Sequence, residues 1–316
     1  MQRRLAIGAR WEEKLVERLS ANLPGWTVSS EVDLATAARA AAVLIPFGMR
    51  VDRELLAGSS IRLIQQFGVG LDNVDLQAAR ELGIAVTNAP SEVSGMAASV
   101  AEGAISLLLS CARLPSARTA NLAAGKWNWT TPLNLGLAGK TAGLVGLGSI
   151  GKAIATRLAA FDMRLRAVRR SGAGGDPTPA GFDWVGGAER MEELVSTSDF
   201  LIICVPLTPE TENLFDSSLM ARIRSGTSIV NVGRGAIVDE KALIAALDSG
   251  RLHAAGLDTL RKEPPEEDSP LLRHPRIVVT PHDAGVTEVA FDGVTRIIAR
   301  NLAHLEAHEP LEHRVV

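Results

Sequence analysis

The chain has 316 residues, of which 46% are hydrophobic and 22% are charged, a composition typical of globular proteins and long enough for two domains. The 33 Lys and Arg residues nearly balance the 36 Asp and Glu residues, and the net charge of -3 provides no field for nucleic acid or an anionic membrane. We therefore expect neither as a partner.

The N-terminal apolar run, LAIGA, is too short for the core of a signal peptide. The longest apolar run, AISLLLSCA (104–112), covers about half a membrane span and fits a buried helix better. Cys111 and Cys204 lie in apolar stretches without metal-ligand or CxxC spacing, so we interpret them as inert buried thiols and expect no metal. A cytoplasmic protein is expected.

Short β-rich runs alternate with helical patterns through the N-terminal third of the chain. The predicted strands are RLAIGA (4–9), WTVSS (26–30), AAVLIPF (41–47), RLIQQF (62–67) and AVTNA (85–89). The predicted helices are WEEKLVERLSANL (11–23), LATAARA (34–40) and LQAARELG (76–83). This alternation predicts a parallel, doubly wound sheet.

A second series of the same kind starts near Lys140, after a helical pattern (99–113) and an aromatic connector (125–136). Its predicted strands are TAGLVGL (141–147), RLRAVR (164–169), FLIICVP (200–206), SIVNVG (228–233), HAAGLD (253–258) and RIVVTP (276–281). The helices between them include 150–161 and 240–250. A last amphipathic helix, 294–308, is expected to pack back on the first α/β unit.

A glycine-rich loop, G-x-G-x-x-G, is formed by Gly146, Gly148 and Gly151 between a predicted strand and an amphipathic helix. One glycine allows the sharp turn, one lets backbone amides approach a pyrophosphate, and one allows close contact between helix and strand. Because both flanking elements are present, the pattern predicts a dinucleotide-binding site. A purely structural glycine turn is the alternative.

Two arginines, Arg169 and Arg170, lie at the end of the next predicted strand, where many dinucleotide-binding chains carry an acidic residue for the ribose 2′-hydroxyl. An arginine cannot accept a hydrogen bond from that hydroxyl. With Ser171, however, these arginines can bind a 2′-phosphate through charge-assisted hydrogen bonds. The pattern favours NADP, with NAD as the alternative if both arginines are solvated surface charges.

Charged or titratable residues follow three later strands, on the side of the sheet where ligands bind. Arg234 follows one strand, Asp258 and then Glu263 follow the next, and His282 follows the last. A nicotinamide cofactor transfers a hydride, and a hydride acceptor such as a 2-oxo acid needs a cation that binds its carboxylate and a proton donor for the developing alkoxide. Each residue alone could be a surface residue, but their joint placement predicts a catalytic site. The remaining histidines are expected at the surface: His253, His274, His304, His308 and His313.

The chain resembles the D-isomer-specific 2-hydroxyacid dehydrogenases nearly from end to end. The similarity is carried by FGVGLDNVD (67–75), SVAEGAISLLL (99–109), GKTAGLVGLGSIG (139–151), VPLTPETENLF (205–215), NVGRGAIVDEKAL (231–243), GLDTLRKEP (256–264) and TPHDAG (280–285).

The resemblance implies that Arg234 binds substrate, that His282 is the general acid/base, and that Glu263 holds the imidazole and raises its pKa. It also implies that the backbone amides of Val69 and Gly70 bind the substrate carboxylate. The further cofactor-lining residues that it implies are Ser149, Ile150, Val205, Val232, Gly233, Gly285 and, on the nicotinamide side, Asp258.

The implied fold has two doubly wound parallel-sheet domains, with a Rossmann nucleotide-binding domain inserted in a flavodoxin-like substrate domain. Residues 1–97 and 287–316 would form the substrate-binding domain, and residues 98–286 the dinucleotide-binding domain, with hinges near residues 97 and 286. Most such enzymes are homodimers joined through the nucleotide domain, so we expect a homodimer.

Three features depart from the family pattern. Arg169 replaces the usual acidic residue, the segment 88–102 is a few residues longer than the usual form, and Gly103 stands where relatives often have histidine or an apolar residue. The last two bear on substrate identity. We expect no C-terminal regulatory domain after Val316, which disfavours an allosteric phosphoglycerate dehydrogenase.

We therefore predict a cytoplasmic, NADP-preferring reductase that converts a small 2-oxo acid of the glyoxylate or hydroxypyruvate type to the D-2-hydroxy acid. Phosphoglycerate or phosphite dehydrogenase activity is the alternative within the same class of enzyme. A nucleotide-sensing binding protein, similar to the co-repressors built on this fold, is the alternative outside it.

Overall fold

The computed structural model describes residues 3–9, 11–127, 133–170 and 180–316. Its strands, in chain order, are β1 Arg4–Ile7, β2 Thr27–Ser30, β3 Val43–Ile45, β4 Leu63–Gln65, β5 Ala85–Thr87, β6 Thr141–Val145, β7 Arg164–Val168, β8 Phe182–Gly186, β9 Phe200–Ile203, β10 Thr227–Asn231, β11 Leu252–Leu257 and β12 Ile277–Val279. Its α-helices are α1 Glu13–Ala21, α2 Leu34–Ala40, α3 Arg53–Ala57, α4 Leu76–Glu81, α5 Ser91–Ser94, α6 Met96–Arg113, α7 Pro115–Ala123, α8 Ser149–Ala159, α9 Met191–Thr197, α10 Ser217–Arg222, α11 Glu240–Asp248, α12 Pro270–Arg273 and α13 Glu288–Ala307.

The chain divides into two compact units, both built on parallel sheets. Unit 1 comprises Met1–Met96 and Thr287–Val316, and unit 2 comprises Ala97–Val286. In unit 1 the described strands pair in the order β2-β1-β3-β4-β5, the order of flavodoxin-like sheets. The returning helix α13 contributes Phe291, Val294 and Ile298 to the same core as β1 and β3, as the sequence predicted.

In unit 2 the described strands pair in the order β12-β11-β10-β9-β6-β7-β8, and every pair is parallel. The chain order reverses between β6 and β9, which is the position where open α/β sheets bind their ligands, beyond the carboxyl ends of the strands. Apolar strand residues such as Leu144, Ile202 and Val230 are fully buried, as expected for strands that are covered on both faces. This Rossmann order brings the strand ends with the predicted site residues to one edge.

The predicted strands all form, although several are shorter than their apolar runs because the final residues already belong to the loops that follow. Strand β8 and the helices α3, α5, α7, α9, α10 and α12 were not among the predicted elements. Helix α13 begins at Glu288, earlier than predicted, because Thr287 caps it by accepting from the Ala290 N–H. Ser171 and residues 128–132 of the connector lie outside the described residues.

Helix α6, which contains the longest apolar run, is long and apolar enough to cross a membrane, but half of it is buried within the fold. Leu107 and Cys111 lie against Gly256 of β11, so the helix packs on the sheet of unit 2. Both thiols are unbridged, and burial raises the pKa of Cys111 and of Cys204 to about 12, which makes them poor nucleophiles.

The expectation that the remaining histidines lie at the surface is wrong for His253 and for His274, whose side chain is only 11% exposed. His253 is half-buried on β11, and burial, together with the charge of Arg276, lowers the pKa of its imidazole. His304 is also partly buried, with its Nδ1 enclosed. His253 is covered because its imidazole hydrogen-bonds to the backbone of Cys111 in α6, which packs on the sheet of unit 2.

Candidate active site

The turn after β10 presents Arg234 at the carboxyl edge of the sheet. The buried side chain of Asn231 shapes this turn: its Oδ1 accepts from the Gly233 N–H at 3.0 Å, and its Nδ2 donates to the Arg234 carbonyl at 3.0 Å. The guanidinium of Arg234 donates from Nη1 to the Gly233 carbonyl at 2.9 Å. The buried amide of Asn231 therefore fixes the backbone turn that carries the Arg234 guanidinium.

Asp258, at the end of β11, organises the loop that follows β12. Its Oδ1 accepts from the Thr280 hydroxyl at 2.6 Å and from the N–H groups of Asp283 and Ala284, both at 3.1 Å. Its carbonyl accepts from the His282 N–H at 2.8 Å. Burial raises the pKa of the Asp258 carboxyl, and the hydrogen bonds from Thr280 and the loop amides oppose that rise. The predicted contact of Asp258 with a cofactor stays a prediction.

His282 lies on this loop in a left-handed backbone conformation, with φ of 55°. Such a conformation is uncommon outside glycine, although it is less so for histidine, and at a loop tip it aims the side chain away from the strand direction. The ring Nδ1 donates to Oε2 of Glu263 at 2.7 Å. The other oxygen of Glu263 accepts from the Leu260 N–H at 2.8 Å, which fixes the carboxylate from behind.

The electrostatics of this pair favour a protonated imidazole. The hydrogen bond to Glu263 raises the pKa of His282, against burial and the charge of Arg234, which lower it. Burial would raise the pKa of Glu263, but the hydrogen bonds from His282 and Leu260 bring it below its ordinary value. Since the Nδ1 proton is committed to Glu263, the ring's Nε2 is the atom left to act as an acid or base.

Arg234, Glu263 and His282 therefore form one cluster. The turn that carries Arg234 contacts the loop that carries Glu263, since a Cβ on Gly235 would lie 1.9 Å from the Leu260 carbonyl carbon. The positive charge of Arg234 lowers the pKa of both Glu263 and His282. The side chains of His282 and Glu263 are 45% and 38% exposed, which leaves the cluster open to a small molecule. A cation beside a polarised imidazolium can bind a carboxylate and protonate an adjacent oxygen.

The glycine loop after β6 has the geometry that a dinucleotide pyrophosphate requires. Gly148 is the N-cap of the eleven-residue helix α8, and a Cβ placed there would meet no atom within 4 Å, so anions have access to the helix amides. Gly146 has φ of 106°, which favours glycine. A Cβ on Gly151 would lie 2.4 Å from the Gly146 carbonyl oxygen, so this glycine permits the helix to approach the loop.

The other predicted cofactor residues of unit 2 follow neighbouring strands at the same edge. Val205 lies beside Gly146 and Gly233: a Cβ on Gly146 would lie 2.9 Å from Val205 Cγ1, and one on Gly233 would lie 2.7 Å from the Val205 carbonyl oxygen. Val232 is buried after β10. Ser149 and Ile150 form the first turn of α8, and Gly285 follows the His282 loop.

Arg169 and Arg170 directly follow β7, the strand next to β6. Arg169 is partly buried and its backbone N–H donates to the Gly186 carbonyl at 2.9 Å, whereas Arg170 is exposed. Sequence reasoning missed Glu210, in the loop after β9. A hydrogen bond from Thr208 lowers the pKa of Glu210, and the charge of Arg170 lowers it further.

Val69 and Gly70 lie in unit 1, in the loop after β4. Asn88 Nδ2 donates to the Val69 carbonyl at 3.1 Å, and the Ala89 N–H donates to the Gly68 carbonyl at 3.0 Å. The preceding residue, Phe67, belongs to an aromatic cluster at the carboxyl edge of this sheet. Its rings are those of Trp11, Phe47, Phe67 and Phe291, with Trp11 at 5.2 Å from both Phe47 and Phe67.

Three residues that support the cluster were not predicted: Asn231, Thr280 and Leu260. Their contribution comes from a buried amide, a hydroxyl and a backbone N–H that contact the predicted residues. A polar side chain ending an apolar strand, as in SIVN, is the sequence signal that could have identified Asn231. A backbone N–H carries no signal in the sequence, so Leu260 could not have been identified.

Comparison with known proteins gives a consistent match. Residues 105–284 match a family model described as the D-isomer specific 2-hydroxyacid dehydrogenase NAD binding domain. The chain is 36% identical over 264 residues to D-3-phosphoglycerate dehydrogenase 2, chloroplastic, of Arabidopsis thaliana, covering 83% of this chain and 41% of that protein. It is 38% identical over 236 residues to hydroxypyruvate reductase of Thermotoga maritima, covering 74% of each.

The fold is similar to the crystal structure of the TT0316 protein from Thermus thermophilus, with a TM-score of 0.84 and 32% identity, covering 99% of this chain and 100% of that one. The chain spans about half the length of the first phosphoglycerate dehydrogenases that it matches.

Proposed function

Because this chain belongs to the D-isomer-specific 2-hydroxyacid dehydrogenase family, we propose that it reduces a small 2-oxo acid to the D-2-hydroxy acid with a nicotinamide cofactor. The observation that carries the proposal is the 2.7 Å hydrogen bond between His282 Nδ1 and Glu263, next to the charge of Arg234. This pair keeps a proton available on an imidazole at the edge of a sheet whose glycine loop fits a pyrophosphate.

The roles of the residues follow from their chemistry. The reduced nicotinamide, when bound, supplies the hydride that C2 of the substrate receives. Arg234 binds the substrate carboxylate and keto oxygen through its guanidinium. His282 donates its Nε2 proton to the keto oxygen as that oxygen gains charge, and Glu263 stabilises the imidazolium before the transfer and the ring orientation after it. In the oxidative direction the neutral imidazole accepts the hydroxyl proton.

The proposed cofactor site combines the amides at Gly148 and Ser149 for the pyrophosphate with Arg169 and Arg170 for a 2′-phosphate. The guanidiniums support NADP as the preferred cofactor. NAD is the alternative. Residues 98–286 would thus bind the dinucleotide, and residues 1–97 with 287–316 would bind the substrate, using the amides of Val69 and Gly70.

Glyoxylate and hydroxypyruvate are the proposed substrates, and a relative that is itself a hydroxypyruvate reductase supports the latter. 3-Phosphohydroxypyruvate is the second candidate, since other relatives are phosphoglycerate dehydrogenases. We further propose that the protein is cytoplasmic and forms a homodimer. Sedimentation of the purified protein would test the homodimer.

The decisive experiment measures oxidation of NADPH and NADH by the purified protein with glyoxylate, hydroxypyruvate, pyruvate, phenylpyruvate and 3-phosphohydroxypyruvate. Arg234→Ala and His282→Ala serve as matched inactive controls, which exclude a contaminating reductase. The proposal is supported if the parent protein reduces glyoxylate or hydroxypyruvate and both variants lose that turnover. Binding of dinucleotide without turnover of any 2-oxo acid would favour a nucleotide-sensing protein instead.

A further inference from the structure

Arg261 connects three loops that surround the proposed active site. It lies between Leu260, whose N–H holds Glu263, and Glu263 itself. Its Nη2 donates to the Ala236 carbonyl at 3.1 Å and also to Oδ1 of Asn213. These two acceptors belong to the turn after β10, which carries Arg234, and to the loop after β9.

Further contacts complete the link. The backbone N–H of Arg261 donates to Oε1 of Glu240, the first residue of α11, at 2.8 Å, and Nη1 lies 3.6 Å from Oε1 of Glu212. The acceptor loops also contact each other, because the Asn213 N–H donates to the Ala236 carbonyl at 2.8 Å. One guanidinium therefore joins the ends of three neighbouring strands.

The backbones meet closely at the same place. A Cβ on Gly235 would lie 1.9 Å from the carbonyl carbon of Leu260 and 2.3 Å from the backbone nitrogen of Arg261. The turn with Arg234 and the loop with Glu263 are thus in direct contact, and a shift of one against the other changes the distance between the two functional side chains. The Arg261 guanidinium spans this contact.

The next residue, Lys262, is also a cation, but its contacts stay within its own loop. Lys262 is 70% exposed and pairs with Glu266, four residues further along its own loop. Such a pair contributes little to stability and does not fix one loop on another. Arg261, in contrast, donates to a carbonyl and an amide oxygen on other loops with the planar fork that a lysine lacks.

We propose that Arg261 is a positioning residue that holds the Glu263 loop on the Arg234 turn and so keeps Glu263 in hydrogen-bond contact with His282. The kinetic part of this inference rests on the proposed function. The structural part does not, since it concerns only the geometry of the Glu263–His282 pair.

The test compares Arg261→Lys, Arg261→Ala and Lys262→Ala. The pKa of His282 is measured by NMR titration of its imidazole, identified by the signal that disappears in His282→Gln. We expect this pKa to fall by about half a unit or more in both Arg261 variants. Without the contacts of Arg261, the Glu263 carboxylate should hydrogen-bond to the imidazole for a smaller fraction of the time. Arg261→Lys keeps the charge, so a fall there reports geometry. Lys262→Ala should titrate like the parent.

In parallel, kcat/KM for reduction should fall about tenfold in the Arg261 variants, with its alkaline limb shifted to lower pH and NADPH binding unchanged. An unchanged His282 titration in both Arg261 variants, or an equal shift in Lys262→Ala, would overturn the inference. If Arg261→Ala does not fold, Arg261→Lys decides. Absence of turnover in the parent would contradict the proposed function, while the NMR titration would still decide the role of Arg261.

Discussion

Gly103 of α6 packs directly against Ala284, two residues beyond His282: a Cβ on Gly103 would lie 2.6 Å from the Cβ and 2.9 Å from the Cα of Ala284. The departure from the family pattern at this position thus has a steric reason. A side chain here would force the helix away from the loop whose amides Asp258 holds, or would displace that loop.

Replacing Gly103 with alanine should destabilise the protein, although alanine is the better helix former by about 1 kcal/mol. Overpacking against the loop should outweigh that gain and cost about 1–3 kcal/mol in the free energy of unfolding. Urea unfolding measures the change, with Ser106→Ala on the exposed side of α6 as the control. Adding Ala284→Gly should recover part of the loss. A more stable Gly103→Ala protein would contradict the close contact.

The role of His282 predicts a selective loss of chemistry. His282→Ala removes the proton donor, so turnover of the 2-oxo acid should fall by about two to four orders of magnitude. The affinity for NADPH should stay nearly the same, because the residue contributes a proton rather than a phosphate contact. Steady-state kinetics and a fluorescence titration separate the two. Near-normal turnover would remove His282 from the mechanism.

The Glu263 carboxylate predicts the pH dependence of reduction. Reduction requires the protonated imidazole, so the rate is retained below the pKa of His282 and lost as the pH rises through it. Glu263 raises that pKa, and in Glu263→Gln the pKa should fall, so the loss of rate should begin at lower pH than in the parent. The measurement is the pH profile of kcat/KM, with the exposed Glu267→Gln as control. A profile identical to the parent's would limit Glu263 to orienting the ring.

Arg169 and Arg170 predict the cofactor preference. If they hold a 2′-phosphate, each lost charge-assisted bond should cost about 1.5–3 kcal/mol, or roughly ten- to a hundredfold in affinity. The double alanine variant should therefore bind NADPH more weakly and NADH as before. Added salt should weaken NADPH binding more than NADH binding in the parent. Equal losses for both cofactors, or a parent that prefers NADH, would refute the assignment.

Replacing Glu210 should change the affinity for NADPH in the opposite direction to replacing the two arginines. Its carboxylate acts on Arg170, and a 2′-phosphate would bring a second anion to that guanidinium. Glu210→Gln should therefore bind NADPH severalfold more tightly, with NADH affinity unchanged, because the charge repulsion is removed. Glu212→Gln, on the same loop, is the control, and titration of both cofactors is the measurement. Tighter binding of NADH as well would show that Glu210 acts on the loop rather than on the phosphate.

The strands and the glycine motif could be predicted because their patterns involve residues close together in the chain. Strands covered on both faces are apolar throughout, as in FLIICVP, and the glycine spacing at 146–151 reflects a turn built from adjacent residues. Strand β8 escaped prediction because FDWVG lies at the edge of the sheet and mixes polar with apolar residues. Short helices such as α3 and α12 have too few turns for a hydrophobic period to be visible.

The fold class and the family could be predicted from the order of the strands and from the motifs, and the grouping of the strand-end residues could be predicted because parallel strands bring the residues that follow them to one edge. The contacts that those residues make with each other could be found only in the folded chain. Asp258 turned its carboxylate to the loop of His282, Arg261 reached across to Ala236, and Gly103 met Ala284. These contacts join residues far apart in the chain, and their distances depend on the packing of whole elements, which no local pattern encodes.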